Sequence, residues 1–234
     1  MCGRYVVATP FQQMEIDFRA LADSLAAPGY APDYNVAPTK PIPIVWQRRE
    51  DEGERRLSLV RWGLVPHWAK DPGVGVRAIN ARIESASEKP TFRDAFVRRR
   101  CVLPADGYYE WRTGPGGKQP VFIHAADGGQ LALAGLYERW LDAEGRAIWS
   151  ATVLTRAAVG PLTEIHDRMP VIVPRDRIEP WLDPELRDAE RARGLLDLGE
   201  APAWTARQVG PAVGNVRNNG PELVRELTGP DPLF

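Results

Sequence analysis

The second residue has chemistry that no other position in the chain can supply. The sequence opens Met1-Cys2-Gly3-Arg4, and an initiator Met followed by a residue as small as Cys is of the removable kind. Removal leaves Cys2 with a free α-amine beside its thiol. An α-amine has a pKa of about 7.7–8.0, against about 10.4 for a lysine, so a useful fraction is nucleophilic at neutral pH without burial. A free thiol titrates at about 8.5 and is readily tuned down. Amine and thiol on adjacent carbons condense with an aldehyde. The amine forms a Schiff base and the thiolate then closes a five-membered thiazolidine ring, which neither a lysine nor an internal cysteine can form. Gly3 lets the backbone pass close to a reacting group. The competing reading of Cys2 is a small side chain near a chain end.

Covalent chemistry of this kind needs proton carriers and an orienting group. Three histidines are present. His124 lies in the apolar run Val121–His124 and reads as structural. His67, in Pro66-His67-Trp68, is open to either reading. His166 sits in Glu164-Ile165-His166-Asp167-Arg168-Met169-Pro170, a dense polar cluster just ahead of apolar sequence, and is a candidate acid or base. Glu110 follows Ala105-Asp106-Gly107-Tyr108-Tyr109 and precedes Trp111. A carboxyl among aromatics has a raised pKa and serves as an acid; strict strand alternation would instead turn Tyr109 and Trp111 inward and leave Glu110 exposed. Asn80 and Arg82 interrupt the apolar stretch Ala78–Ile83. Asn can orient a reacting oxygen or nitrogen, and Arg can hold a phosphate; a polar network at a turn is the alternative. Cys101 follows three arginines and enters an apolar strand, which reads as a buried small hydrophobe.

The elements that must position these residues are partly legible. Phe11, Met14, Phe18, Leu21 and Leu25 form one helical stripe, with Thr9 as N-cap, Pro10 at N1 and Gln12 completing a capping box. Pro28–Pro43 reads as a loop entering a strand Ile42–Trp46, whose partner Leu57–Trp62 lies across the charged hairpin Arg48–Arg56. Thr91–Arg99 is a short helix capped by Thr91, and Asp183–Leu196 a second one near the C-terminal end. Cys101–Leu103, Val121–His124, Leu131–Leu136, Ile148–Leu154 and Val171–Val173 read as strands. The short turns Gly114–Gly117 and Asp127–Gly129 favour antiparallel pairing. The sum is an α+β chain with a strand-rich centre and peripheral helices, expected as one domain over residues 1–234.

Composition narrows the function. The 234 residues are 44% hydrophobic and 26% charged, enough for a large core. Apolar runs such as Leu131–Leu136 are far below the roughly 18 residues of a membrane span, and no apolar segment follows Arg4 as in a secretory leader. Two cysteines are too few for a disulfide scaffold and point to the cytosol. No Cys/His spacing suits zinc and no Gly-rich phosphate loop is present, so no metal or cofactor is expected. Net charge is −1, and only four of the 30 basic residues are lysines. Any nucleic-acid contact must therefore be a local, arginine-based patch.

Taken in order, several segments resemble the SRAP (SOS response-associated peptidase, or abasic-site processing) family. They are Met1–Tyr5, Tyr34–Thr39 (Tyr-Asn-Val-Ala-Pro-Thr), Trp62–Pro66, Ile79–Glu84, Cys101–Trp111, Ile165–Val171 and Val213–Arg217. The resemblance covers nearly the whole chain and implies a barrel-like, mainly antiparallel centre. It also implies a cytoplasmic sensor, expected as a monomer, of abasic sites in single-stranded DNA. After autocatalytic loss of Met1, Cys2 would crosslink to the ring-opened sugar aldehyde as a thiazolidine; reversal and a strand-nicking lyase activity go with the family. By the same resemblance Asn80 holds the Cys2 amine or the sugar oxygen, Glu110 shuttles protons, and His166 assists sugar ring opening and reversal. Arg4, Arg82 and Arg168 match positions that contact phosphates, which is positioning and not base reading. Trp68 and Pro38 are candidates to stack on or wedge between bases. Three rivals remain. One is an N-terminal nucleophile amidohydrolase of the glutamine amidotransferase kind, although the chain's one Asn-Gly pair, Asn219-Gly220, lies far downstream. The others are a noncatalytic single-strand DNA-binding module and a Cys–His peptidase acting on other proteins.

Overall fold

The computed structural model describes residues 2–24, 29–51, 53–114, 116–196 and 203–227. Two sheets carry most of it. The first has five strands in the order β13-β9-β8-β1-β3, with every neighbour antiparallel. These are β1 (Tyr5–Val7), β3 (Asp33–Val36), β8 (Gly107–Gly114), β9 (Gly117–Ala125) and β13 (Trp204–Gln208). The second contains β2 (Ala20–Ala22), β4 (Pro41–Trp46), β5 (Arg55–Trp62), β6 (Asn80–Arg82), β7 (Arg100–Ala105), β10 (Leu131–Leu141), β11 (Ala147–Ala157) and β12 (Arg168–Pro170). Here β11 pairs β10 antiparallel and also pairs β5 parallel, at Ser150↔Arg61 and Ala151↔Trp62. The path β11-β10-β7-β4-β5 therefore closes on itself, and closure removes exposed edges.

Sequence pattern explains the ring. β10 is buried at all but two of its residues, as its near-continuous apolar run requires. β5 alternates from Ser58 onward, burying Ser58, Val60 and Trp62 between half-buried Leu59 and Arg61, and Leu57 before them is buried as well. β4 tolerates Pro41 and Pro43 because β7 pairs it only at Val45 and Trp46, so its first half has a single neighbour. One apolar cluster runs through both sheets and includes Tyr5, Trp46, Trp62, Tyr108, Leu133 and Trp181. A smaller one, Val6, Tyr109, Phe122, Val209 and Val213, lies on the other face of the five-stranded sheet.

Several local expectations are corrected. Helix α1 spans Phe11–Phe18 and stops at Arg19, which is left-handed (φ 49°). The chain turns there because Ala20–Ala22 pairs parallel with Arg55–Leu57, which leaves Leu21 exposed; Leu25 lies outside the described residues. Pro10 takes the N-cap position without a side-chain cap, and the Thr9 hydroxyl donates instead to Asp106 Oδ1. Asp106 also accepts from the Ala8 and Thr9 amides, so the capping box is replaced by a tie between sheets. The Pro28–Pro43 stretch contains β3, paired with β1. Thr91 does not cap α2 (Arg93–Arg98); Phe92 precedes it. The Asp127–Gly129 turn joins β9 and β10, which lie in different sheets. Val171–Val173 makes one bridge, Ile172 to Leu133, while the strand is β12 just before it. Asp183 ends α3 (Ile178–Leu182), and of the expected Asp183–Leu196 helix only Ala189–Gly194 (α4), capped by Asp188, is α-helical.

Two close backbone approaches require glycine. A Cβ on Gly63 (φ +120°) would meet Gly75 O at 2.5 Å. The glycine lets the loop after β5 fold back, so that β6 lies beside β11 at Val153–Thr155. A Cβ on Gly107 would meet the Phe122 ring at 2.5 Å and Ile123 O at 2.6 Å. This contact seats β8 between β1 and β9, where it carries Glu110.

Candidate active site

Cys2 stands three residues before the start of β1, and the pairing of β1 with β8 brings it toward Glu110. Tyr5 opposes Tyr108 and Val6 opposes Gly107, while the Tyr109 amide donates to Arg4 O. Tyr108 and Glu110 share one face of β8, two residues apart. Tyr109 points the other way into the second apolar cluster, so both faces are buried and Glu110 is only 4% exposed. That settles the two sequence readings of Glu110 in favour of burial. β6, held on β11, brings in Asn80, whose Nδ2 donates to Cys2 O at 2.7 Å. His166, just before β12, places Nε2 4.0 Å from Glu110 Oε2. Four separate stretches of chain thus meet between the two sheets.

The electrostatics favour neutral forms. Burial pushes the Cys2 thiol well above its ordinary range; the nearby Glu110 charge pushes it further, and the Arg4 backbone N–H opposes both. Burial likewise raises the Glu110 carboxyl, with His166 pulling it down and Asp167 pushing it up. A carboxyl raised in this way keeps its proton closer to neutral pH, as a general acid must. His166 Nδ1 accepts the Arg168 backbone N–H at 3.0 Å. Nδ1 accepts that bond only when it carries no proton, the case in which a neutral ring holds its proton on Nε2, facing Glu110. Asp167 Oδ1 lies 2.7 Å from the same Nδ1, so a protonated ring finds a carboxylate there. The Asn80 Oδ1 is buried without a partner among the described residues and is open to a donor from a bound substrate or a water.

The residues expected to face DNA divide into two groups. Arg82 and Trp68 are exposed, Trp68 by 56%, and Pro38 is half-buried beside Thr39, whose φ is 73°. Trp68 lines a cleft of about 760 Å³ with Lys70, Arg77 and Lys89. Arg4 and Arg168 are turned toward protein. Arg4 Nη1 donates to Asn35 Oδ1 (2.7 Å) and Val213 O (2.8 Å), with its guanidinium 5.8 Å from the Trp111 ring centre. Arg168 donates to both oxygens of Glu84, at 2.7 and 2.9 Å. His67 meets Glu138 at 3.3 Å, and His124 bonds Ala125 O and stacks on Phe122, so neither joins the site. Cys101 is fully buried. An equally large cleft lined by Arg19, Leu21 and Glu179 contains none of the candidate residues. Among the described residues no cluster of His, Cys, Asp and Glu is arranged to hold a metal, and no helix is long and apolar enough to cross a membrane.

The family model described as SOS response associated peptidase (SRAP) matches residues 1–216. The chain belongs to the SRAP family. It is 39% identical over 225 residues to the abasic site processing protein YoqW of Bacillus subtilis, covering 96% of this chain and 99% of that protein. It is 33% identical to the abasic site processing protein YedK of Escherichia coli, covering 97% and 100%. A solved structure from Bacteroides thetaiotaomicron superposes with a TM-score of 0.85 at 24% identity, covering 97% of this chain and all of that one, a likeness of fold.

Within this SRAP chain, sequence reasoning missed three groups around the site. Tyr5 and Tyr108 oppose each other across β1 and β8, and their hydroxyls are buried without a partner among the described residues. After burial, a Cys2 thiolate is the next influence on each phenol, so both lie within its electrostatic reach. Asn35, fully buried, joins Arg4 to Val213, Asn215 and Asn218. Glu84 and Thr155 enclose Arg168. The first two groups fall within the Tyr-rich and Asn-containing motifs, but no periodicity marks a hydroxyl or amide as part of a site.

Proposed function

We propose that this SRAP chain is an abasic-site processing protein of the cytoplasm that captures the lesion in single-stranded DNA through Cys2. The observation that carries the reading is the 2.7 Å bond from Asn80 Nδ2 to Cys2 O, because it fixes the aminothiol residue against the buried Glu110–His166 pair. The names of the relatives, abasic site processing proteins, support the substrate.

The chemistry begins with hydrolysis of the Met1–Cys2 bond, which frees the α-amine. His166 promotes opening of the sugar by moving a proton at its ring oxygen and hydroxyl. The amine adds to the aldehyde carbon and gives a carbinolamine. Glu110, whose proton burial holds to a higher pH than an ordinary carboxyl's, gives it to the carbinolamine oxygen; water leaves and a protonated imine remains. The Glu110 carboxylate then takes the thiol proton of Cys2, and the sulfur adds to the imine carbon. The ring nitrogen ends as a neutral secondary amine. Aldehyde and aminothiol thus become thiazolidine and water, with no redox change. Arg82 holds a phosphate next to the lesion, and Trp68 and Pro38 contact the flanking bases. One copy on one strand suffices for these steps.

The test is direct. Protein and a single-stranded oligonucleotide with one abasic site are mixed, denatured and separated beside a Cys2→Ala control. A heat-stable shifted band is expected, absent for Cys2→Ala and for the intact oligonucleotide. No band from protein whose mass shows Met1 removed would refute the proposal, and glutaminase activity in that protein would favour the amidohydrolase rival.

A further inference from the structure

The strand ring β11-β10-β7-β4-β5 has two ends, and the candidate active site uses one. Opposed residues on neighbouring strands share a face, so the inward side can be followed around the ring. Ala151 opposes Trp62 on one side and Tyr137 on the other, and Trp149 opposes Arg139. On β4, Trp46 opposes Arg56 and Cys101. At one end the Tyr5 ring packs 5.2 Å from Trp62, three residues along from Cys2. At the other end Trp46, Tyr137 and Trp149 gather, with ring centres 4.7, 5.2 and 6.2 Å apart. Ile44, Val60 and Leu103, all buried, fill the interval between the ends. The mouth of a strand barrel is a common place for a ligand, and this one is remote from Cys2.

The far mouth is both aromatic and cationic. Arg48 lies 4.5 Å over the Trp46 ring and 5.5 Å over the Trp149 ring, and Arg139 lies 5.8 Å from the same Trp149 ring. Trp149 is half-buried, while Arg98 and Arg139 are exposed. A cleft of about 590 Å³ takes in Trp149 and His67 and is lined by four arginines against two carboxylates. Of the carboxylates, Glu138 is held by Arg99, and Asp94 lies against Arg93. Arg48, Arg98 and Arg139 form no ion pair among the described residues. A smaller cleft that shares Trp149 adds Asp23 and Glu50, which leaves the His67 side as the one suited to an anion.

We infer that this mouth is a nucleotide site, with the base stacked on Trp149 and the phosphate held by Arg48, Arg98 and Arg139. Stacking on an aromatic ring accepts any base, and guanidinium forks match phosphate oxygens. None of these residues takes part in the proposed crosslinking chemistry. The nucleotide has two sources, the far part of a bound strand and a free nucleoside phosphate. Position favours the strand. The segment after β5 runs beside the ring, from the Gly63 amide on Ala151 O to Ala69 O on the Trp140 indole. It places Trp68 in one cleft and His67 at the edge of the mouth, so a strand leaving the lesion past Trp68 meets the mouth next. The strand source rests on the proposed capture of single-stranded DNA; the site itself does not.

Two probes separate the sources. Calorimetry measures binding of a nucleoside monophosphate. A second titration measures noncovalent binding of abasic oligonucleotides in a Cys2→Ala background, one of about 5 nucleotides and one of about 20, which bracket usual single-strand site sizes. Trp149→Ala is expected to weaken the probe that fills the mouth roughly ten- to a hundredfold, and Arg139→Ala roughly tenfold. Trp149→Phe, which keeps a ring, retains most of the affinity. On the long strand Arg139→Ala also flattens the salt slope by about one charge's worth. The short strand should bind every variant alike, and the saturating crosslinking rate with Cys2 present should not change. Losses on the long strand assign the strand as the source, and losses on the monophosphate alone assign the free nucleotide. If neither probe responds to Arg139→Ala, the inference is overturned, since an exposed side chain is lost there without disturbing the core. Equal losses on the short strand also overturn it, because the mouth would then serve only the fold. A wild type that binds the monophosphate at the mouth but neither strand would refute the parent reading and leave this site standing.

Discussion

Asn80 offers the sharpest test of how the site is held. Its Nδ2 donates at 2.7 Å to Cys2 O, and Cys2 is fully buried, so the carbonyl has little recourse to water. Asn80→Ala leaves that acceptor unpaired, which costs about 1–3 kcal/mol. For a chain of this size each kcal/mol lowers Tm by roughly 2–4 °C. The kinetic effect is expected to be larger. Cys2 loses a side-chain tie that fixes its carbonyl, and a displacement of about 1 Å at a reacting group costs about 100-fold in rate. Asn80→Asp sharpens the argument, since the side chain keeps its shape but, once ionised, has no proton to donate. It then faces the carbonyl of the fully buried Cys2. Its carboxyl is expected to titrate above the ordinary range, with the acid form donating to Cys2 O. The sign follows from linkage. Below the ordinary carboxylate range the Asp variant approaches wild-type stability, and it loses stability as pH rises through the raised value. Melting curves at about pH 3 and pH 8, on either side of that range, together with single-turnover crosslinking, check both parts. If Asn80→Ala crosslinks at the wild-type rate, the contact serves only the fold. If the Asp and Ala variants keep a constant difference in Tm at both pH values, the donor role is wrong.

Glu110→Gln keeps the shape and removes the proton carrier, so crosslinking should slow by about 10²–10⁴ while noncovalent DNA binding persists; an unchanged rate removes Glu110 from the proton path. The same variant removes a negative charge that raises the Cys2 thiol, so alkylation of Cys2 by iodoacetamide should reach half its maximal rate at a lower pH than in wild type. Because burial raises the Glu110 carboxyl, its contribution to stability is complete below the ordinary carboxylate range and is lost as pH rises through the raised value. Glu110→Gln should therefore melt higher than wild type at alkaline pH and by a smaller margin in acid. Arg82→Ala should flatten the salt slope of DNA binding by about one, and a slope equal to wild type would mean that Arg82 faces away from the strand. Trp68→Ala should weaken single-strand binding by about 1–3 kcal/mol without altering the saturating crosslinking rate, and a loss confined to that rate would contradict a stacking role.

The site was more legible than the elements that carry it, for a physical reason. Aminothiol chemistry is a property of Cys2 alone and needs no tertiary context to be recognised. Asn80 and Glu110 announced themselves as polar residues in apolar runs, and both prove to sit against the core. Helix α1 was overread because a 3.6-residue stripe does not register competition from a strand partner. Leu21 fits the stripe, yet the pairing of Ala20–Ala22 with β5 decides its conformation. β3 was missed because Pro32 and Pro38 flank it and prolines read as loop; β1 supplies its hydrogen bonds from 26 or more residues away. The burial of Arg168 was equally invisible. An arginine beside a histidine reads as a free cation, and only the meeting of β6, β11 and β12 brings Glu84 within reach. Long-range pairing is the information that local pattern lacks.

Burial of the Cys2 sulfur looks like a handicap for a nucleophile, but in the proposed reaction it orders the two bond-forming steps. An exposed aminothiol would hold a fraction of thiolate at neutral pH and would meet any passing oxidant or electrophile. Here burial keeps sulfur protonated, and the α-amine is left as the group able to react first. Once the amine has condensed, the balance reverses. The protonated imine is a cation one residue's width from the sulfur, and opposite charge at that range favours the thiolate. Glu110, having spent its proton on the departing water, is the carboxylate that receives the thiol proton. The thiolate therefore forms when its electrophile is already in place, and the site tells an aldehyde from other electrophiles by requiring the amine to react before the sulfur. Sodium cyanoborohydride tests this order. Added from the start, it should divert wild type from thiazolidine to a reduced amine crosslink, and Cys2→Ser should form that reduced crosslink efficiently. If Cys2→Ser forms no reduced crosslink although it binds the strand and its α-amine is free, sulfur acts first and the order is wrong.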